Sequence, residues 1–109
     1  MTLQKLCDTA DFPADGHRVF TVSGHDIVVF VVDGDYFAID RKCSHMGGDL
    51  SKGKLDGKTI KCPKHGAVFN LENGDVLTPV SGMAGKMKKA VKAKVYSVQI
   101  QDDAIFVDI

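Results

Sequence analysis

Two short motifs, each combining a cysteine with a histidine, constrain this chain more than any other feature of its sequence. The first is C-S-H at residues 43–45, and the second is C-P-K-H at residues 62–65, after sixteen intervening residues. The two ligand types within each motif are too close in sequence to lie on opposite sides of a fold, so both motifs must be loops that point the same way. Thiolates and imidazoles are common metal ligands in proteins. The predicted ligands are Cys43, His45, Cys62 and His65.

The order of the ligands favours one kind of metal centre. Zinc sites with two cysteines and two histidines usually place like ligands next to each other in sequence. Here each motif is mixed. A two-iron cluster with two cysteines on one iron and two histidines on the other suits mixed motifs, because each loop then supplies one ligand to each iron. A structural zinc site and a chance arrangement of four such residues are the less favoured alternatives.

The motifs and their neighbours resemble the two cluster-binding boxes of the Rieske family. The first box is C-S-H-M-G-G at residues 43–48, and the second is C-P-K-H-G at residues 62–66. The resemblance is specific over approximately residues 40–80, and it implies a [2Fe–2S] cluster as the cofactor. By analogy, Cys43 and Cys62 bind the buried iron. His45 and His65 bind the outer iron, with their ring edges near solvent.

Short β-like runs separated by glycine-rich turns predict an all-β fold, because β-branched and aromatic residues fill these runs. The family resemblance implies a Rieske-like antiparallel β-sandwich or barrel. A small cluster-binding subdomain, approximately residues 40–80, would be inserted between framework strands of a single domain covering residues 1–109. The predicted strands are residues 18–22, 27–32, 36–39, 59–61, 67–70, 75–77, 95–101 and 104–107, with one apolar face along 95–101.

Composition and charge exclude several classes of function. The formal net charge is 0, so nothing favours nucleic acid or an anionic membrane as a partner. The longest apolar run, residues 27–32, is far shorter than the ~20 residues that span a bilayer, and the first residues show no secretory signal. Three cysteines, an odd number, argue against a disulfide framework. We therefore expect a cytoplasmic protein.

The resemblance implies a soluble one-electron carrier that is not itself an enzyme. Its partners would be redox proteins: a ferredoxin reductase as the donor, and a terminal oxygenase or other reductase as the acceptor, with no small-molecule substrate. An oxygenase needs a further iron site with two histidines and a carboxylate. Only His17 and His25 are left for such a site. The alternative function is the small Rieske subunit of a larger reductase, such as a nitrite reductase.

Four positions separate the chain from the high-potential branch of the family, which occurs in cytochrome bc complexes. Gly48 and Lys64 stand where that branch has an extra cysteine in each box, so its disulfide cannot form here. Ala67 and Phe69 stand where it has serine and tyrosine hydroxyls that donate to sulfur. Such hydrogen bonds stabilise the reduced cluster and raise its potential. We expect a reduction potential on the order of −150 mV.

The remaining chemistry-bearing residues receive simpler interpretations. Cys7 has no histidine or cysteine nearby in sequence, so we expect a small buried core residue. His17 and His25 are expected in solvent-facing turns around the first predicted strand.

A lysine-rich stretch follows the insert. Residues 83–95 combine lysines with good helix formers, so a helical turn or two is compatible with the sequence. The five lysines from Lys86 to Lys94, and Lys64 inside the second box, are hypotheses for docking an acidic redox partner. A solvated charged face is the alternative.

Overall fold

The computed structural model describes residues 3–12, 16–42, 49–63, 66–78 and 93–109. Within these ranges the chain forms eleven β-strands and two short 3-10 helices, at Thr9–Asp11 and Leu50–Lys52. No helix in the described part of the chain is long and apolar enough to cross a membrane. The strands are β1 Leu3–Asp8, β2 His17–Val22, β3 His25–Val32, β4 Asp35–Asp40, β5 Lys54–Asp56, β6 Thr59–Lys61, β7 Val68–Asn70, β8 Val76–Thr78, β9 Val95–Tyr96, β10 Val98–Gln101 and β11 Ala104–Asp108.

The strands pair antiparallel in three sheets. Two framework sheets have the orders β2-β3-β4-β9 and β1-β11-β10. The third sheet, β5-β6-β7-β8, comes entirely from the chain between β4 and β9, and we call it the insert sheet. The predicted all-β antiparallel fold, with an insert between framework strands, is confirmed.

Strand β3 contributes to two hydrophobic cores that the described residues form. The four residues from Ile27 to Phe30 are each 2% exposed or less. Because side chains alternate along a strand, Val28, Phe30 and Val32 lie in one core, and Ile27 and Val29 lie in the other. Burying a large apolar side chain contributes about 1.5–3 kcal/mol. The continuous apolar sequence of β3 is thus explained by burial on both of its faces.

The two cores join different parts of the chain. The insert core packs β3 against residues of the insert sheet, and the framework core packs β3 against β11 and β9. Besides the residues of β3, the insert core contains Ile39, Leu50, Ile60, Cys62, Ala67, Phe69, Leu71 and Ala93. The framework core contains Phe12, Ala38, Tyr96, Ile105 and Val107.

Gly53 holds the start of the insert against β6. A Cβ at this position would overlap the carbonyl oxygen of Lys61 and would lie 3.2 Å from the carbonyl oxygen of Leu50. The backbone leaving the second 3-10 helix therefore packs directly on the backbone of β6. This contact places the residues that follow the first box beside the strand that leads into the second.

The other end of the insert is held at Gly74, where φ is +81°. The backbone N–H of Ala93 donates to the carbonyl oxygen of Gly74 at 2.9 Å. A Cβ on Gly74 would overlap the carbonyl oxygen of Ala93. Both the positive φ and the close approach require glycine. The turn at Gly74 therefore contacts the backbone just before β9, and this contact joins the insert sheet to the framework.

The sequence pattern predicts most strands within one or two residues of their observed bounds, but it misses β1 and β5. The predicted strand 95–101 is two strands, since β9 pairs with β4 whereas β10 pairs with β11. The chain changes sheets at Ser97. Ile100, expected on an apolar face, is consequently 48% exposed.

The prediction that His17 and His25 lie in turns is wrong, although both are exposed. His17 begins β2 and His25 begins β3, and His25 pairs with Val22 across the hairpin. The connecting turn is only Ser23-Gly24, with φ values of 51° and 79°. Two positive φ values suit a two-residue hairpin turn, which lets the strands extend to the turn itself.

Residues 83–92 of the predicted helical stretch lie outside the described residues, and residues 93–94 have no regular structure.

The packing at Gly53 predicts that Gly53→Ala destabilises the protein by about 1–3 kcal/mol, because the new methyl group must displace the backbone of β6. Gly16→Ala is the matched control, since nothing lies within 4 Å of a Cβ at Gly16. The control should change stability by less than about 0.5 kcal/mol. Urea-unfolding midpoints measured by far-UV circular dichroism check both values. Equal midpoints for the two variants would contradict the close packing of Gly53.

Candidate metal centre

Of the four predicted ligands, Cys62 lies within the described residues, and Cys43, His45 and His65 lie outside them. Cys62 directly follows β6 and is 2% exposed. It is part of the insert core. It forms no disulfide with the described cysteine that remains, Cys7. The structure thus places one predicted ligand as an unbridged, buried thiol at the base of the second box.

The turn that follows Cys62 is closed by backbone hydrogen bonds. The N–H of Cys62 donates to the carbonyl oxygen of Ala67 at 2.7 Å, and the N–H of Gly66 donates to the carbonyl oxygen of Cys62 at 3.1 Å. Gly66 has a φ of +79°, which an L side chain rarely adopts. These hydrogen bonds close the base of the β6–β7 connection, and the second box lies in this connection in the sequence.

The ends of the first box are tied together by Arg41 and Asp49. The guanidinium donates from Nε to Oδ1 of Asp49 at 3.2 Å and from one terminal nitrogen to Oδ2 at 3.0 Å. The backbone N–H of Leu50 also donates to the carbonyl oxygen of Arg41 at 2.7 Å, and Lys42 and Asp49 form an isolated β-bridge. Because these contacts join the residues on either side of 43–48, they close the base of the first loop.

Asp49 has a second role at the start of the 3-10 helix Leu50–Lys52. Its Oδ1 accepts the backbone N–H of Ser51 at 3.0 Å and the hydroxyl of Ser51 at 2.6 Å. The hydrogen bonds from Arg41 are the main cause that lowers the pKa of Asp49 from 3.8 to about 2, aided by Ser51 and opposed by burial. The same hydrogen bonds and the charge of Asp49 raise the pKa of Arg41. The pair is therefore ionised throughout the physiological range.

The bases of both boxes meet at the insert core. Leu50, just past the first box, and Cys62, in the second, belong to the same buried cluster, together with Ile60. The backbone at Gly53, between Leu50 and Cys62 in the sequence, packs on the backbone of Lys61 and so fixes the segment that joins the two boxes. Cys62 is buried and unbridged, and a histidine follows it in the second box. This pair of residues fits the donor set that a cluster with mixed Cys and His ligands requires.

Two further residues of the second hairpin bear on the chemistry of such a cluster. Ala67 and Phe69 are both fully buried in the insert core. Neither side chain carries a hydroxyl group, so neither can donate a hydrogen bond to sulfur. The structure therefore gives an apolar environment on this side of Cys62.

The structure corrects the expectation for Cys7. This residue is half-buried and packs against the framework core, so it is not the buried core residue that we predicted. Its strand, β1, lies at the edge of its sheet among the described strands. Burial raises the pKa of its thiol above the usual value, against the opposing effect of Arg18.

Sequence reasoning missed the positioning residues Arg41, Asp49 and Gly53. A local signal exists for Asp49, because an aspartate two residues before Ser51 is typical of a helix N-cap. No comparable signal identifies the pairing of Arg41 with Asp49, which depends on the closure of the intervening loop.

The ion pair predicts a pH-dependent stability difference between the wild type and Asp49→Asn. The variant should lose about 1 kcal/mol near neutral pH, a modest value because both side chains are partly exposed. Asparagine can still accept from Ser51. Since the folded-state pKa of Asp49 is about 2 and its ordinary value is 3.8, the difference is complete above about pH 5 and shrinks as the pH falls toward about 2.

Urea-unfolding curves of both proteins between about pH 7 and about pH 2.5 check this dependence. Glu72→Gln is the control, because the Lys58–Glu72 pair is about half exposed on both sides, with side-chain exposures of 49% and 53%. It should change stability by less than about 0.5 kcal/mol. A difference for Asp49→Asn that stays constant into the acid range would contradict the role of its charge.

Comparisons with known proteins agree with the geometry. The family model described as the Rieske [2Fe–2S] domain matches residues 2–102. The 3-phenylpropionate/cinnamic acid dioxygenase ferredoxin subunit of Photorhabdus laumondii is 31% identical over 105 residues, covering 95% of this chain and 91% of the relative. Ferredoxin CarAc of Metapseudomonas resinovorans is 30% identical over 104 residues, covering 94% and 90% of the two chains.

Solved structures show the same fold. A chain in the complex of reduced oxygenase and oxidised ferredoxin in carbazole 1,9a-dioxygenase is 27% identical, with a TM-score of 0.78, covering 96% of this chain and 91% of that chain. The ferredoxin of carbazole 1,9a-dioxygenase from Nocardioides aromaticivorans IC177 has a TM-score of 0.79 at 20% identity, over 98% and 97% of the two chains. The second match supports the fold alone.

These comparisons favour an iron–sulfur cluster over the zinc alternative, because the matching family model describes a [2Fe–2S] domain. They also favour the electron carrier over a reductase subunit, since both curated relatives are ferredoxins. The cofactor is a [2Fe–2S] cluster, and the protein is a one-electron carrier that is not itself a catalyst. The chain belongs to the Rieske [2Fe–2S] domain family.

Proposed function

We propose that this chain is the ferredoxin component of a multicomponent oxygenase, receiving single electrons from a reductase and delivering them to a terminal oxygenase. The observation that carries this proposal is the match to dioxygenase ferredoxin subunits over at least 90% of both chains. A solved complex of a ferredoxin with its oxygenase, in the carbazole system, supports the same direction of electron delivery.

The residues that would hold the cluster are the four predicted ligands. In this proposal Cys43 and Cys62 bind one iron, and His45 and His65 bind the other. The burial of Cys62 and the closed turn after it support its part in the set. The ties at the base of the first loop support a fixed position for that loop. The proposal includes a single domain over residues 1–109, with its cluster-binding part at approximately residues 40–80.

The bound cluster supplies one-electron chemistry, and the protein supplies its surroundings. The insert core keeps water away from the Cys62 thiol, which is 2% exposed. The Arg41–Asp49 pair joins the residues on either side of the first box, and the packing at Gly53 fixes the backbone after that box against β6. Rigid loops reduce the rearrangement that accompanies a change of charge at the site. Because Cys7 and Cys62 are free cysteines, we place the protein in the reducing cytoplasm.

Electron delivery can be tested by rapid mixing. The dithionite-reduced protein is mixed anaerobically with the oxidised terminal oxygenase of carbazole 1,9a-dioxygenase or of 3-phenylpropionate/cinnamic acid dioxygenase, and its reoxidation is followed by visible absorption. We expect one electron per protein to reach at least one of the two oxygenases. Reoxidation by neither oxygenase, together with co-purification of the chain with a large reductase, would contradict the proposal and support the reductase-subunit alternative.

The ligand set predicts different outcomes for the two described cysteines. Cys62→Ser should remove the red-brown colour and the iron, because a hydroxyl replaces a thiolate ligand. Cys7→Ser should keep both, with an unchanged EPR spectrum in the reduced state. His65→Ala, at a loop position, provides a second test in case the buried Cys62→Ser substitution prevents folding. Full iron content in both Cys62→Ser and His65→Ala would contradict the proposed ligands.

The absence of hydroxyl donors at Ala67 and Phe69 predicts a potential on the order of −150 mV, and a measured value above about +100 mV would contradict it. Ala67→Ser should raise the potential by on the order of tens of millivolts, because a hydroxyl could donate to a cluster sulfur. Val68→Thr is the control, since Val68 alternates with the core-facing Phe69 along β7. Protein-film voltammetry of the three proteins measures the difference. Equal shifts in both variants would exclude a specific hydrogen bond.

A further inference from the structure

Charge is separated along this chain although its formal net charge is 0. Residues 1–40 contain two basic and seven acidic residues, counting Lys and Arg against Asp and Glu. Residues 41–66, which include both boxes, contain seven basic and two acidic residues. The remaining residues are balanced. The part of the sequence that binds the cluster is therefore strongly basic, whereas the first framework strands are acidic.

Two of these basic residues face each other directly on the insert sheet. Lys54 of β5 and Lys61 of β6 are cross-strand partners. Both lysines are exposed. The next cross-strand pair faces the other way, since Leu55 packs against the insert core and its partner Ile60 is fully buried in it. Because cross-strand partners share a face, the two lysines project from the solvent side of the sheet. Like charges directly opposite each other destabilise a sheet.

Nothing in the described structure neutralises this lysine pair. Among the described residues, no carboxylate lies within 4.0 Å of either ammonium group, and the ion pairs formed there are Lys5–Asp8, Arg41–Asp49 and Lys58–Glu72. The contrast with Lys58 is informative, because it lies at the other end of the same hairpin and is paired with Glu72 at 3.2 Å. The unpaired charge is thus concentrated at the end of the sheet that carries Cys62.

Lys61 lies beside the second turn itself. It directly precedes Cys62, and a Cβ added at Gly66 would lie 3.4 Å from Cε of Lys61. The aliphatic part of Lys61 therefore lies along the turn that closes the second box. A positive charge held here is next to the site of electron transfer, where a partner must approach.

We propose that Lys54 and Lys61 form a docking contact for an acidic surface of the terminal oxygenase, an inference that rests on the proposed function. The destabilising lysine pair is explained if a carboxylate of the partner neutralises it on association. In the complex the reduced protein loses one electron and the oxygenase gains it, and no bond forms or breaks. The lysines increase the rate at which the two proteins meet and favour the orientation in which they bind. Because the protein has no net charge, its overall charge does not attract the partner. The separation of charge instead orients the protein so that the end of the insert sheet with the two lysines faces the acidic surface.

Small oxidants of opposite charge measure the local field independently of any partner. The dithionite-reduced protein is mixed with trianionic hexacyanoferrate(III) or with tricationic tris(phenanthroline)cobalt(III), each of which accepts one electron. Rates are recorded as the ionic strength rises. Since the whole protein has a formal net charge of 0, we expect the anion to react more slowly with added salt and the cation to react faster.

The variant for this test carries Lys54→Gln and Lys61→Gln together. Its rate should fall about threefold to tenfold with the anion and rise with the cation at low ionic strength. A change in reduction potential would instead shift both rates in the same direction, so the two oxidants separate the effects. The matched control carries Lys5→Gln and Lys58→Gln, which changes net charge equally but removes lysines that are ion-paired. It should leave both rates within about twofold of the wild type.

The same proteins are then tested with the terminal oxygenase that accepts electrons from the wild type. We expect the second-order rate of the Lys54→Gln, Lys61→Gln variant to fall about threefold to tenfold at low salt and to lose most of its salt dependence. The control variant should behave as the wild type. A wild type that reduces neither oxygenase and co-purifies with a large reductase would contradict the proposed function instead, whatever the small oxidants show.

Two results would overturn the docking contact while leaving the proposed function intact. One is an oxygenase rate that is equal in the wild type and the lysine variant at every ionic strength. The other is a loss of salt dependence confined to reduction by the reductase, which would assign the surface to the electron donor.

Discussion

The architecture depends on one strand that is buried on both faces. β3 places Val28 and Phe30 in the insert core and Ile27 and Val29 in the framework core. A register shift of one residue would exchange these faces, but it would leave the strand apolar on both. Its neighbours therefore have to define the register. The two-residue turn at Ser23-Gly24, with positive φ at both positions, does so for the pairing with β2.

Because the insert core includes β3, the described residues at the bases of the two boxes are attached to the centre of the framework. Cys62 and Leu50 pack in the same cluster as Val28 and Phe30. Two further contacts fix the residues beside the boxes, and neither involves a predicted ligand. They are the ion pair of Asp49 and the backbone packing of Gly53. The described residues next to the two boxes are thus fixed by residues outside the predicted ligand set. An electron carrier benefits, since its ligands must keep one arrangement in two charge states.

The sequence predicts those parts of the structure whose cause is local. The run 27–32 indicates a strand because it is continuously apolar, and the ligands are predicted because Cys and His recur at short spacing. β5 is missed because it is three residues long and two of them are exposed. The division at Ser97 is missed because only pairing with β4 and β11 distinguishes β9 from β10. The Arg41–Asp49 pair likewise exists only after the loop between them closes.

Ala67 and Phe69 connect the stability of the second hairpin to its chemistry. Both side chains are fully buried in the insert core, and an apolar residue there contributes to packing without needing a hydrogen-bond partner. A hydroxyl at either position would require an acceptor in the interior, and the acceptors nearest the second box would be cluster and cysteine sulfurs. Side chains that share the insert core with β3 therefore also lack the hydrogen bonds that would stabilise extra negative charge. The low potential that we propose would thus depend on the same apolar packing of Ala67 and Phe69 in the insert core.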